Sequence, residues 1–211
     1  MTTPAQTPFT DPAGTWNRRF GEADYLFGTA PNDWLTEHAA VWAPGSRVLC
    51  VADGEGRNSV WLAGRGLVVD AFDIAEVGVA KARRLAAEKA VSVNFTVADC
   101  DSYAWPQAAL DGVAAIFVQF ADPDMRERLF ARIVESLRPG GTLVLQGYTP
   151  RQLEFRTGGP PLASHMYTEP MLRTAFADMD ILSLREYDAD VAEGSGHQGR
   201  SALIGLVARR R

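Results

Sequence analysis

Arg47-Val48-Leu49-Cys50-Val51-Ala52-Asp53-Gly54-Glu55-Gly56-Arg57-Asn58-Ser59 reads as a short buried strand, a glycine-bearing turn and the start of a helix. Val48 to Val51 supply the apolar run, Gly54 and Gly56 the turn, and Val60, Trp61 and Leu62 continue an apolar helical face. A strand that turns through glycines into a helix N-terminus brings bare backbone N–H groups, and no Cβ, up against a ligand. Leu67 to Phe72 reads as a second buried strand, and Asp73 stands 17 residues past Gly56. An acid roughly 20 positions beyond such a turn is where nucleotide-binding α/β folds hold a ribose diol. Together the two halves imply a ligand of adenosine type.

Working outward, strand and helix patterns alternate. Strands are expected at residues 48–51, 67–72, 91–97, 113–120 and 142–146, and helices at 58–65, 76–89, 123–137 and 170–177. Val91, Val93, Phe95 and Val97 would share one strand face, and Met125, Leu129, Ile133 and Leu137 recur every four residues on a helix. Such alternation implies a parallel sheet with helices on both faces. The last two strands, 181–187 and 201–207, have no helix between them, only the glycine-rich stretch 193–199. They are expected to pair as an antiparallel hairpin at a sheet edge. The expected architecture is therefore a Rossmann-like, doubly wound seven-stranded sheet, mostly parallel, with a C-terminal antiparallel hairpin.

The 211 residues, 46% hydrophobic, suit a single domain with a full core. Residues 1–15 read as a flexible leader, and residues 16–43 as a helical cap on that domain. Within the cap, Asn32 is the expected N-cap of a helix that Pro44-Gly45 stops. A net charge of −5 argues against a nucleic-acid partner, and no apolar run approaches the roughly 20 residues that span a bilayer. Cys50 and Cys100 lack paired spacing, which fits a reducing cytoplasm and no metal site.

Over residues 16–209 the chain resembles the class I S-adenosylmethionine-dependent methyltransferases. The resemblance rests on residues 48–59, Asp73, Val97-Ala98-Asp99, Leu137-Arg138-Pro139-Gly140-Gly141 and the terminal hairpin. Gly54-x-Gly56-Arg57-Asn58-Ser59 followed by Trp61-Leu62 looks like the tellurite-resistance-related branch, with the thiopurine methyltransferases a more distant likeness. The resemblance implies S-adenosylmethionine as cofactor. Asp73 would accept the ribose hydroxyls, Ile74 would pack on adenine, Asp99 would accept the adenine amino group, and the Cys100 backbone would face the ring. Gly54, Gly56, Arg57, Asn58 and Gln119 are the other residues implied at the cofactor. The family usually carries an acid in the first strand, where this chain has Cys50, so the methionine-end contact moves to Asp53.

Methyl transfer from a sulfonium needs proximity and a desolvated nucleophile more than a dedicated acid–base pair. A small soft acceptor fits: a thiol, or a selenium or tellurium oxyanion. Gln119-Phe120-Ala121-Asp122 stands where amino-methylating relatives carry Asn/Asp-Pro-Pro-Tyr, which argues against amide-type nitrogen acceptors. Ligands of a parallel sheet lie beyond the C-terminal strand ends, so Trp16, Tyr25, Phe120, Tyr148, Arg151 and His197 are the candidate acceptor contacts. Glu193 and Arg200 fall in the same loops. His197 reads either as general base or substrate ligand, or as a solvated loop histidine; His165 and His38 read as structural. The aromatic stretch 14–34 reads as a lid over the site or as a segment packed on the sheet. NAD binding is a rival for the same turn, but Ser59 occupies the third glycine's place. A non-catalytic S-adenosylmethionine-binding module is the other alternative.

Overall fold

The computed structural model describes residues 11–211. Residues 1–10 of the expected leader lie outside that span, and its remainder is helical instead. In α1 (Pro12–Arg19), Asp11 caps the helix by accepting from the Gly14 N–H at 2.9 Å. Pro12 occupies the first turn, where its missing N–H costs nothing. The cap continues into α2 (Asp33–His38), whose N-cap Asn32 accepts from the Leu35 N–H at 3.1 Å.

From there strand and helix alternate as the pattern predicts: β1 (Arg47–Val51), α3 (Arg57–Gly64), β2 (Val68–Asp73), α4 (Glu76–Glu88), β3 (Asn94–Val97), β4 (Leu110–Ile116), α5 (Pro123–Ser136) and β5 (Leu137–Tyr148). Two short helices follow, α6 (Gln152–Phe155) and α7 (Glu169–Ala175), then β6 (Met179–Glu193) and β7 (His197–Arg210). The seven strands run in the order β3-β2-β1-β4-β5-β7-β6. The first five are parallel, and β7 is antiparallel to both neighbours. This is the class I methyltransferase fold, with a topological switch between β1 and β4.

Side-chain alternation along the strands builds two cores. Leu49, Val51, Val113 and Leu143 pack with Leu129, Ile133 and Phe176 on one face. Val48, Cys50, Ala114 and Val144 pack with Trp34, Leu35 and Leu62 on the other. Burying each such side chain contributes about 1.5–3 kcal/mol.

Four expectations change in detail. The strand over 91–97 begins only at Asn94, because Ala90 (φ +53°) closes α4. There the Ala90 and Val91 N–H groups donate to the Ala87 and Ala86 carbonyls. The strand over 113–120 stops at Ile116, since Phe117 adopts φ +55° and turns the chain. The Pro139-Gly140 turn is a bulge inside β5, whose pairing with β4 slips between Leu110 and Gly112. Finally, the hairpin strands run past the expected loop to a tip at residues 194–196.

Candidate functional site

At the C-terminal ends of β1, β2 and β4 lies a cavity of about 400 Å³. Ten of the residues singled out in the sequence line it: Trp16, Asp53, Gly54, Arg57, Asp73, Ile74, Asp99, Cys100, Phe120 and His197. Asp73 closes β2 with both oxygens tied to backbone, Oδ2 accepting from Gly54 N–H at 2.9 Å and Oδ1 from Ala75 N–H at 2.8 Å. A carboxylate has about four acceptor positions, so lone pairs remain for a diol. Burial raises its pKa above the usual carboxylate value, against those two backbone bonds. Asp99 performs a capping role, its Oδ1 accepting from the Asp101 and Ser102 N–H groups at 2.8 and 2.7 Å while the residue still lines the cavity. Asp53 accepts from both the hydroxyl and the N–H of Ser59. Burial, opposed by those bonds, pushes its carboxyl up to about 7.

Of the two turn glycines, Gly54 lines the cavity. A Cβ on Gly54 (φ +61°) would meet the Phe20 ring, and one on Gly56 (φ +90°) would meet Ala82 of α4. Gly56 does not line the cavity. These glycines permit left-handed backbone and close packing from behind, and the first turn position, Ala52, is itself left-handed at φ +48°.

Opposite the acids, α3 and the hairpin tip meet in a buried polar cluster. Glu193 Oε2 lies 2.9 Å from Arg57 and 2.9 Å from His197 Nδ1, and its Oε1 accepts from Asn32 Nδ2 at 2.9 Å. Burial alone would raise Glu193, but the His197 bond and Arg57 hold it at about 2. Burial lowers His197, the bond to Glu193 opposing the shift. The imidazole stands 4.4 Å from the Phe27 ring and 4.7 Å from the Phe117 ring. The tip reaches this place because Gly194 and Gly196 leave no Cβ against Leu26 and Phe27, and the Gly196 N–H donates to the Leu26 carbonyl at 2.9 Å.

Other expected residues stand elsewhere. The Gln119 amide bridges the Tyr148 backbone (2.6 and 2.9 Å), and Asn58 Oδ1 accepts from Asn32 N–H at 3.0 Å. Both are buried structural amides outside the cavity. Tyr25 donates to the Lys81 carbonyl, Arg151 pairs with Asp188 on the surface, and Tyr148 stacks behind Phe117. His38 lies with Nδ1 3.0 Å from the Trp34 carbonyl and its ring 4.0 Å from the Trp34 ring, whereas His165 lines the cavity with Nδ1 3.2 Å from the Gln119 carbonyl. His165 had no local signal beyond its loop, and Phe27 and Phe117 had none beyond their apolarity.

The aromatic segment is anchored rather than loose. Lys81 of α4 donates to the carbonyls of Phe20, Glu22 and Asp24 at 3.2, 3.0 and 2.7 Å and pairs with Glu55 at 2.5 Å. Residues 20–26 are thereby fixed to the turn, and from that base α1 brings Pro12 and Trp16 to the cavity, joined by Phe20 and Phe27.

Residues 48–141 match the family model of a methyltransferase domain. No curated protein matches the chain by sequence. Among solved structures, the chain is similar to one reported for the conversion of a disulfide bond into a thioacetal group during echinomycin biosynthesis. That likeness has a TM-score of 0.76 and 18% identity over 94% of this chain and 92% of the other. It is similar to TehB from Haemophilus influenzae (0.70, 16%, 95% and 67%). It is also similar to the magnesium protoporphyrin IX methyltransferase ChlM from Synechocystis PCC 6803 with bound S-adenosylmethionine (0.66, 16%, 97% and 95%). S-adenosylmethionine is the cofactor that the domain and these neighbours indicate. The cavity suits it chemically: Asp53, Asp73, Asp99, Asp101 and Asp122 line it, and Arg57, already paired with Glu193, is the one lysine or arginine among the described residues that does. An acidic pocket of nucleoside size matches a ligand carrying a sulfonium and an ammonium.

Proposed function

We propose that the protein is an enzyme transferring a methyl group from S-adenosylmethionine to a small, soft nucleophile, in the cytoplasm. Bound in the cavity, the cofactor supplies a methyl carbon activated by a sulfonium leaving group. Asp73 holds the ribose diol, Asp99 and the Cys100 backbone hold adenine beside Ile74, and Asp53 faces the ammonium. The carrying observation is the acidic, nucleoside-sized cavity at the switch-point strands, lined also by Pro12 and Trp16 of α1 and by His197 of the hairpin. The free buried thiols Cys50 and Cys100 support a reducing compartment. The turn's likeness to the tellurite-resistance-related branch supports a soft acceptor.

Calorimetric titration with S-adenosylhomocysteine tests this reading, and absence of binding at millimolar ligand, or tight NAD binding, sinks it. Binding without transfer to any acceptor would favour a non-catalytic module. Asp73→Asn is expected to weaken the titrated affinity by about 1–3 kcal/mol, through loss of charge-assisted bonds to the diol.

The Asp53 contact predicts a pH dependence. The free protein keeps the Asp53 proton up to about pH 7, whereas the ligand's ammonium favours the ionised carboxylate. Below that pH the ligand must displace a proton. Affinity for S-adenosylhomocysteine should therefore rise with pH through about 7 and level off above. Titrations in buffers of different ionisation enthalpy should report proton release on the acid side only, and Asp53→Asn should flatten the profile. Folding stability has the opposite slope. Between the ordinary value of 3.8 and about 7 the folded chain binds the Asp53 proton that the unfolded chain has released, so this group favours folding less as pH rises.

A further inference from the structure

The Glu193–His197 pair is more than a tether for the hairpin tip. Glu193, buried and held ionised by Arg57, can only accept, so the hydrogen at the 2.9 Å contact sits on His197 Nδ1. That fixes the tautomer of the neutral ring and leaves the lone pair on Nε2. The Phe27 and Phe117 rings clamp the imidazole, and it lines the cavity, where Nε2 has no hydrogen-bond partner among the described residues. The charge around it decides what it could serve. Every ionised carboxylate lining the cavity repels an anion, and the Arg57 guanidinium is neutralised by Glu193 at 2.9 Å. Beyond the cofactor's own charge, an oxyanion acceptor would enter an apolar, acidic pocket where the one lining lysine or arginine among the described residues, Arg57, is already paired. A neutral acceptor enters without that cost but needs its proton removed.

Resting on the methyltransferase reading above, we propose that His197, oriented by Glu193, is the general base for an uncharged S–H or O–H acceptor that binds between Phe27, Phe117 and Phe120. The acceptor's proton passes to Nε2, and the electron pair it leaves forms the new bond to the methyl carbon. The carbon–sulfur pair of the sulfonium departs with sulfur, and the imidazolium returns its proton to water. The charged groups that act on the ring are Glu193 on its own hairpin, Arg57 of α3 and Arg19 of α1, and the Tyr148 ring of β5 meets it edge-on at 5.8 Å.

His197→Asn is the informative variant, because an asparagine amide can still donate to Glu193 while Nε2 is gone. Two probe acceptors are compared: 4-nitrothiophenol, ionised at neutral pH, and 2-phenylethanethiol, which is not. The variant should lose roughly 100-fold or more in kcat with the alkanethiol and only a few-fold with the nitrothiophenol. Equal losses with both, or none with either, overturn the base. So does methylation of tellurite or selenite in preference to both thiols, or failure of the wild-type protein to methylate either thiol while it binds S-adenosylhomocysteine. A readout free of turnover uses 4-nitrophenol added to the S-adenosylhomocysteine complex. The visible phenolate band should grow on binding to the wild type and not to His197→Asn. His165→Asn is run alongside, and the same discrimination appearing there instead would move the base to His165. Loss of S-adenosylhomocysteine binding by the wild-type protein would instead fail the cofactor reading, which the calorimetry scores separately.

Discussion

Gly56→Ala is expected to destabilise the folded protein by roughly 2–5 kcal/mol. Left-handed backbone costs an L-residue about 1–2 kcal/mol, and forcing a methyl into a packed contact costs about 1–3 more. Both apply here: φ is +90°, and an added Cβ would lie 2.7 Å from the Ala82 Cβ and 2.9 Å from its Cα. Ala82 sits within α4 and cannot retreat without moving the helix that carries Lys81. Gly45 is the matched comparison, since its φ is +87° with nothing within 4 Å of the added Cβ. Gly45→Ala should cost about 1–2 kcal/mol from backbone alone. Urea midpoints of the two variants separate the contributions, and equal shifts would show that the contact with α4 gives way freely.

Lys81→Met is expected to cost about 3–5 kcal/mol, because removing one member of a buried ion pair leaves its partner charged and unpaired. The side chains of Lys81 and Glu55 are 6% and 3% exposed. Three backbone carbonyls lose their donor in the same step. The loss should be accompanied by faster tryptic cleavage at Arg18 and Arg19, as the segment above α4 comes free. Adding Glu55→Gln to Lys81→Met should recover part of the stability by removing the orphaned charge, which a double-mutant cycle measures. Additive effects would contradict the pairing.

The cofactor half of the molecule was legible because its signals are local. Val48 to Val51, Gly54, Gly56 and Asp73 declare strand, turn and strand end by periodicity and punctuation within a few residues of each other. The same reasoning failed at Gln119 and Asn58. A polar residue at the right place reads as a ligand contact, yet each amide closes a backbone gap from a distant element. The anchor at Lys81 was invisible, since the three carbonyls it holds lie 57 to 61 residues away and no pattern along α4 marks one lysine as buried. The antiparallel pairing of the hairpin was legible, but its tip was not, for a different reason. Glycines 194, 196 and 199 read as a loose loop, whereas two of them are small so that Leu26 and Phe27 can press against the tip.

The hairpin has a further consequence. Beyond the Tyr148–Leu203 pair, β6 and β7 continue as a two-stranded ribbon without β5, and its tip rests on residues 26–28 rather than on the sheet. Of the groups proposed to act on the acceptor, Phe27 comes from the N-terminal segment and His197, with the Glu193 that orients it, from the C-terminal hairpin. Both lie outside residues 48–141, the stretch that matches the methyltransferase model. The matched stretch supplies Phe117 and Phe120 to the proposed acceptor pocket, whereas the base and its partner lie outside it, so kinship through the middle does not by itself fix what is methylated. Acceptor preference should then move between proteins of this architecture only when both termini are exchanged together, because each shapes the other's surface.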